Sequence, residues 1–234
     1  MKRTYFVLLI LITTIIFSTC ANDEITDAII LSLKIYNDPL VPLQVNNTWR
    51  YSRYEYAVVQ LSGQTIFDDS DSTEFRQIIT RPIVIDGKEY FKISFIPESV
   101  SSRLMLFKKE DTSIFLGWYN DEEEYFEEEY FFKFPIKDGD TYIYDNQYKD
   151  GSQVYTVTKT EITVIAGDFE CFVFSTEVEL GGELEGLLWE INFYISPGVG
   201  LVYMYMYCDD FGDLMPGTTG YIEIKEELLS YNFE

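Results

Sequence analysis

The chain contains no histidine. That absence removes Ser-His-Asp and Cys-His nucleophile pairs, His-ligated zinc, the facial-triad iron site and imidazole general bases. Basic residues are scarce as well, with 17 Lys and Arg against 40 Asp and Glu and a formal net charge of −23. With no basic stripe to neutralise phosphates, nucleic acid is not an expected partner. An anionic membrane surface would repel the same body. Cysteine occurs three times, too rarely for a disulfide-dense scaffold. The longest apolar run, Tyr5–Phe17, falls short of the roughly 20 residues a membrane-spanning helix needs. Aromatic residues are plentiful at 17% of the chain, which argues for a packed core and against disorder.

The apolar run follows Lys2 and Arg3, has the length of a signal-peptide core and ends at the small residues Ser18 and Thr19 before Cys20. Phe17-Ser18-Thr19-Cys20 resembles the lipobox of bacterial lipoproteins, with Thr19 where Gly, Ala or Ser is usual and Phe17 where Leu is commonest. The resemblance implies cleavage before Cys20, which would then carry acyl chains on sulfur and nitrogen. Residues 1–19 would be the signal, 20–40 a lipidated tether and 41–234 an all-β domain. Two acyl chains already suffice for stable anchoring, so the membrane would be a partner through the lipid alone. Asn22-Asp23-Glu24 resembles the acidic stretch with which some diderm bacteria send lipoproteins to the cell surface. The expected location is therefore the outer membrane, periplasmic or surface-facing.

From Pro42 onward, Tyr-, Val-, Ile-, Thr- and Phe-rich segments alternate with Gly-containing turns, the pattern of antiparallel strands. The spacing predicts strands near Thr48–Gln60, Thr73–Ile85, Glu89–Phe95, Arg103–Lys108, Ser113–Tyr119, Tyr125–Phe134, Thr141–Tyr144, Gln153–Ile165, Asp168–Glu179, Leu187–Ile195, Gly200–Cys208 and Gly220–Ser230. Asp86-Gly87 is the clearest hairpin turn, since Asp-Gly supplies the positive φ angles of a two-residue loop. The acidic runs Asp68-Asp69-Ser70-Asp71-Ser72 and Asn120-Asp121-Glu122-Glu123-Glu124 read as solvated loops. The first lacks the glycine and distal glutamate of a calcium loop, so no metal site is assigned.

Val41–Tyr51 (VPLQVNNTWRY) matches Phe134–Tyr144 (FPIKDGDTYIY) at an offset of 93 residues. Each reads as a proline stop, a turn and an aromatic strand start. This suggests two halves, 41–133 and 134–234, of a duplicated antiparallel meander curled into a half-barrel, barrel or sandwich. The alternative is chance recurrence of a common strand entry.

The opening Asn47-Thr48-Trp49…Tyr51, the hairpin Asp86-Gly87-Lys88-Glu89-Tyr90, Ala166-Gly167-Asp168-Phe169-Glu170-Cys171 and the turn Ser196-Pro197-Gly198-Val199-Gly200-Leu201-Val202 together resemble a set of uncharacterised bacterial lipoproteins. The resemblance implies an antiparallel β structure, distantly comparable to the half-barrels of lipoprotein carriers. It brings no catalytic residue.

Cys171 and Cys208 are candidate disulfide partners in an exported protein, the alternative being two separate buried thiols. Val202, Met204 and Met206 share one strand face and are candidates for an apolar ligand lining, against a reading in which they are plain core. No cofactor and no catalytic residue is assigned. The expected function is a non-catalytic, lipid-anchored binding or interaction module whose partner is an apolar small molecule or an envelope protein. The alternatives are a structural surface-assembly component and a carboxylate-based glycosidase. Labelled palmitate is expected to enter the protein when it is made in a lipoprotein-processing bacterium, and Cys20→Ala to abolish the label; label retained by that variant would remove the anchor assignment.

Overall fold

The computed structural model describes residues 40–98, 104–110, 113–120, 125–145, 152–179, 188–209 and 218–233. The signal and Cys20 lie outside them, as do most of the tether and the run Asp121–Glu124. Twelve strands follow one another: β1 (Thr48–Leu61), β2 (Gln64–Ile85), β3 (Lys88–Ile96), β4 (Met105–Glu110), β5 (Ser113–Asn120), β6 (Tyr125–Lys133), β7 (Thr141–Asp145), β8 (Ser152–Val164), β9 (Gly167–Glu179), β10 (Leu188–Ser196), β11 (Gly200–Cys208) and β12 (Thr218–Asn232). They form one antiparallel sheet in the order β6-β5-β4-β3-β2-β1-β12-β11-β10-β9-β8-β7, curled into a nearly closed barrel.

The sheet is thus two six-stranded meanders, β1–β6 and β7–β12, joined where the first and last strands pair. The two strand-entry segments make the same backbone bonds. Asn46 N–H donates to Ile79 O (2.8 Å), Ile79 N–H to Asn47 O (3.1 Å) and Asn47 N–H to Gln44 O (3.1 Å). In the second half, Gly139 N–H donates to Val157 O (2.9 Å), Val157 N–H to Asp140 O (2.8 Å) and Asp140 N–H to Lys137 O (3.1 Å). Asn46 (φ 72°) and Gly139 (φ 83°) occupy the same left-handed position, which Asn and Gly tolerate better than other residues. Ile79 and Val157, the shared partners, are both buried.

β6 and β7 are the edges of the sheet, and tyrosine side chains bridge the seam between them. Tyr142 Oη donates to Phe131 O at 3.0 Å and accepts from Lys133 N–H at 3.4 Å. Phe131 N–H donates to Tyr155 Oη at 3.2 Å, and that hydroxyl donates to Gln153 Oε1 at 2.9 Å. The two tyrosine rings stack at 5.1 Å. Buried edge groups that lack a neighbouring strand still need partners, and here hydroxyls supply them.

Bulges decide which side chains face inward. In β5–β6 the register places Leu116 opposite Tyr130 and Gly117 opposite Glu128, leaving Glu129 as the extra residue. Phe126 and Glu128 therefore face outward while Tyr130 and Phe132 face the interior. A second bulge, between Ile79 and Arg81 of β2, keeps Phe75 and Ile79 in the main core and turns Ile83 and Ile85 to an outer cluster with Tyr90, Leu106, Phe115 and Phe126. Buried Lys108 sits over the Phe115 ring at 3.9 Å and pairs with Glu128, which also accepts from Tyr144 Oη.

Two expectations change. The acidic run Asp68–Ser72 is strand and not loop: Ser62 and Gly63, both at positive φ, close a hairpin earlier than predicted, and the run pairs with Tyr54–Val58 of β1. Its side chains are exposed there, so a strand can carry them at little cost. The Cys171–Cys208 disulfide is also not formed, the two buried cysteines not being bonded to each other. β10 runs between β9 and β11, and its register sets Ile195 beside Phe172 but Glu190 beside Tyr207, so the cysteines lie toward opposite ends of it. Two strand spacings of about 4.8 Å already exceed the ~7 Å Cα limit of a disulfide. Burial pushes the Cys171 thiol up to about 12, with Glu170 adding to the shift, so it stays protonated and inert.

A Cβ on Gly117 would stand 1.9 Å from the Glu127 carbonyl oxygen. Gly117→Ala must therefore move the bulge, and we expect a loss of about 3 kcal/mol or more in urea unfolding. An unchanged midpoint would show that the bulge does not depend on this glycine.

Candidate functional site

A cavity of about 540 Å³ opens within the barrel. Its apolar wall takes Trp49 and Tyr51 from β1, Phe95 from β3, Met105 and Phe107 from β4, and Leu116 and Trp118 from β5. Tyr130 and Phe132 of β6, Phe193 and Ile195 of β10, Leu201, Met204 and Met206 of β11, and Val41 ahead of β1 also line it. Alternation along each strand, shifted where a bulge intervenes, puts these residues on one face. The polar groups of the lining are Arg53, Gln77, Glu129 and Glu226.

Met204 and Met206 line the cavity as the strand alternation predicts. Val202 does not: it is fully buried in the core, and Leu201 lines the wall in its place. The cause is a bulge between Tyr194 and Ile195, which pair with Tyr203 and Leu201 and leave Val202 as the extra residue. On the opposite face, Tyr205 and Tyr207 stack in parallel at 6.3 Å and Tyr194 meets Tyr203 edge-on at 5.3 Å. This gives β11 a tyrosine-covered outer surface.

Two of the motifs singled out in the sequence, Asn47–Tyr51 and Ser196–Val202, meet beside the cavity. Trp49 Nε1 donates to Val199 O at 2.6 Å and Tyr51 Oη to Leu201 O at 3.0 Å, so the first strand grips the Ser196–Gly200 turn. Gly200 (φ +97°) packs beneath Val41, Pro42 and Trp49, where a Cβ would meet Val41 at 3.4 Å.

The charged groups belong to the central strand pair. Arg53 of β1 lies opposite Glu226 of β12, which in turn faces Met204 of β11. Arg53 Nη1 stands 3.6 Å from the Glu226 carboxylate, while its Nε is 2.5 Å from Glu55. The Arg53 side chain is 30% exposed and that of Glu55 47%, so the charged end of the cavity leads toward solvent. Glu226 is 7% exposed, and among the described residues it accepts no hydrogen bond and has Arg53 as its ion-pair partner. Burial raises its carboxyl to about 7 against an ordinary 4.5; Arg53 opposes the shift and Glu55 adds to it. Tyr51 and Tyr130 are pushed up mainly by burial, with Glu226 contributing to both and Glu129 to Tyr130.

Arg53 and Glu226 belong to no motif, yet the alternation held a signal. Trp49, Tyr51 and Arg53 continue one face, as do Ile222, Ile224, Glu226 and Leu228. A charge in an inward position of an otherwise apolar face is the unusual feature. Among the described residues, no three acidic or cysteine side chains gather to hold a metal.

The folded chain holds the Glu226 proton more tightly than the unfolded chain. That contribution to stability is therefore complete below about pH 4.5 and is lost as pH rises through 7. Glu226→Gln removes it. The difference in unfolding free energy between parent and variant is expected to move by about 3 kcal/mol in favour of the variant between pH 4.5 and 7.5. Urea titrations across that range measure it, and a pH-independent difference would contradict the assignment.

No known protein family and no curated protein matches the sequence. Among solved structures, the chain is similar to a protein described as a lipoprotein from Parabacteroides distasonis, at 13% identity and a TM-score of 0.43, covering 83% of this chain and 99% of that one. It is also similar to a protein of Bacteroides fragilis described as exported and of YmcC-like fold, at 12% identity and a TM-score of 0.40, covering 82% and 98%. A third similar structure, the ywiB protein of Bacillus subtilis, has 7% identity and a TM-score of 0.21, covering 77% and 92%.

Proposed function

We propose that the protein is a lipid-anchored envelope protein whose β barrel binds an apolar small molecule without transforming it. The observation that carries this reading is the 540 Å³ cavity with an aromatic and methionine wall and a small charged group at one end. Ligand sites typically enclose about 300–1,000 Å³ and combine an apolar lining with a few placed polar groups. Met105, Met204 and Met206 add a wall that adapts to irregular ligands. A barrel serving only as a surface spacer gains nothing from leaving that volume unfilled, because each unfilled space forfeits dispersion contacts. A carboxylate-based glycosidase draws support from two glutamates, Glu129 and Glu226, on the cavity wall. Glu226, however, sits between Arg53 and Met204 in a predominantly apolar chamber, which suits a greasy guest better than a hydrated sugar.

Leu116→Trp adds bulk to the wall where there is space for it. Native mass spectrometry of the protein taken from its own membrane should show an added apolar mass that this variant lacks, with both proteins folded by circular dichroism. A bare mass for the parent protein, together with no change in tryptophan fluorescence on adding alkyl amphiphiles, would overturn the binding role. Trp49 and Trp118 in the lining are the reporters.

A further inference from the structure

Residues that alternate with the cavity wall put Tyr56 of β1, Tyr221 of β12, Tyr203, Tyr205 and Tyr207 of β11 and Tyr194 of β10 on the outer side of the sheet. Several rings touch in a chain: Tyr56 meets Tyr221 at 5.6 Å, Tyr221 meets Tyr207 at 5.9 Å, and Tyr207 stacks with Tyr205 at 6.3 Å. The register sets carboxylates among the rings. Glu223 lies between Tyr56 and Tyr207, with Glu190 beyond, and Glu227 lies beside Tyr203. Tyrosine hydroxyls hold two more, Asp68 through Tyr56 and Asp209 through Tyr207. The cations of this face are already engaged, Lys225 with Glu223 and Arg50 with Glu74. Among the described residues, Asp68, Glu190, Asp209 and Glu227 have neutral donors and no ion-pair partner. A neutral donor orients a carboxylate without cancelling its charge.

We propose that this tyrosine face docks an extended, lysine- and arginine-rich segment of a partner protein. One such contact exists within the chain itself: Lys225 Nζ stands 2.8 Å from Glu223 and 5.8 Å from the centroid of the Tyr205 ring. A cation over a tyrosine is held by the ring quadrupole, and a carboxylate beside the ring adds a charge-assisted hydrogen bond. The face repeats that unit of ring and acid at Tyr207 with Glu190 and at Tyr203 with Glu227. Two-residue steps along β11 place successive rings about 7 Å apart, the spacing of same-side residues in an extended guest. Tyrosine also gives a large contact area at low conformational cost, having two side-chain torsions. The net charge of −23 draws a basic partner toward the surface and repels an acidic one. The inference stands apart from the cavity, whose wall uses the opposite face of the same strands.

The test is a titration of the full chain into fluorescein-labelled decalysine, decaglutamate and maltohexaose at physiological ionic strength, read by fluorescence anisotropy. Decalysine should bind, and the other two should not. Tyr205→Leu combined with Tyr207→Leu keeps bulk and charge while removing two ring faces. It should weaken decalysine binding at least about fivefold, with folding checked by circular dichroism. Tyr56→Leu, on a different strand, is the second variant and should weaken it about twofold or more. Glu190→Gln with Glu227→Gln should weaken it further than the charge-matched pair Glu89→Gln with Glu161→Gln, placed on other strands. Affinity unchanged by tyrosine replacement, or reduced equally by both glutamate pairs, would mean attraction to overall charge and overturn the proposal. Absence of decalysine binding would do the same. Maltohexaose binding in its place, lost on tyrosine replacement, would assign the face to a neutral glycan and equally overturn it.

Discussion

Everything in the barrel depends on the pairing of its first strand with its last. β1 and β12 run side by side from Thr48 opposite Asn232 to Leu61 opposite Thr218, and each carries a six-stranded meander outward from that line. The pair also sets the chemistry of the cavity, since Arg53 and Glu226 face each other because the register puts them there. Trp49 and Tyr51 reach from β1 to the backbone of the β10–β11 turn and β11, tying the two meanders together by side chains as well as by the ladder. With the halves joined in the middle, the outer strands β6 and β7 need only a tyrosine-bridged seam.

Bulges give the two faces of the sheet different uses. A strand with strict alternation would send Phe126, Glu128, Tyr130 and Phe132 to one side. The extra Glu129 splits them, so that Glu128 serves the outer pair with Lys108 and Tyr144 while Tyr130 and Phe132 line the chamber. Gly117 makes that split possible, because the opposing carbonyl occupies the space a side chain would need. The same device exchanges Val202 for Leu201 on β11. Small register changes, each of one residue, thus shape an interior wall from strands that also maintain an outer aromatic cluster.

Local chemistry made much of this legible. Asp86-Gly87, the twelve aromatic and β-branched segments, and the repeated entry at Val41–Tyr51 and Phe134–Tyr144 all act over a few residues, and the sheet contains them nearly as read. The repeat proved informative because its turn residues, Asn46 and Gly139, both meet a backbone demand for positive φ. What local pattern does not carry is relation across the sheet. Nothing near Glu226 in the chain announces Arg53, more than 170 residues away, and nothing near Cys171 announces that β10 will separate it from Cys208. The run at Asp68–Ser72 misled because its acidity describes exposure, and an exposed strand satisfies that as well as a loop does.

The central pairing also fixes an order of events. β1 is among the first segments of the barrel to be synthesised and β12 is the last, and until Thr218–Asn232 arrives both β1 and β11 are open edges with unpaired amides and carbonyls. Such edges recruit strands from other chains, and contacts this distant in sequence form slowly. The closed barrel is therefore unavailable to a chain that lacks Thr218–Asn232, because β1 and β11 are joined through that strand.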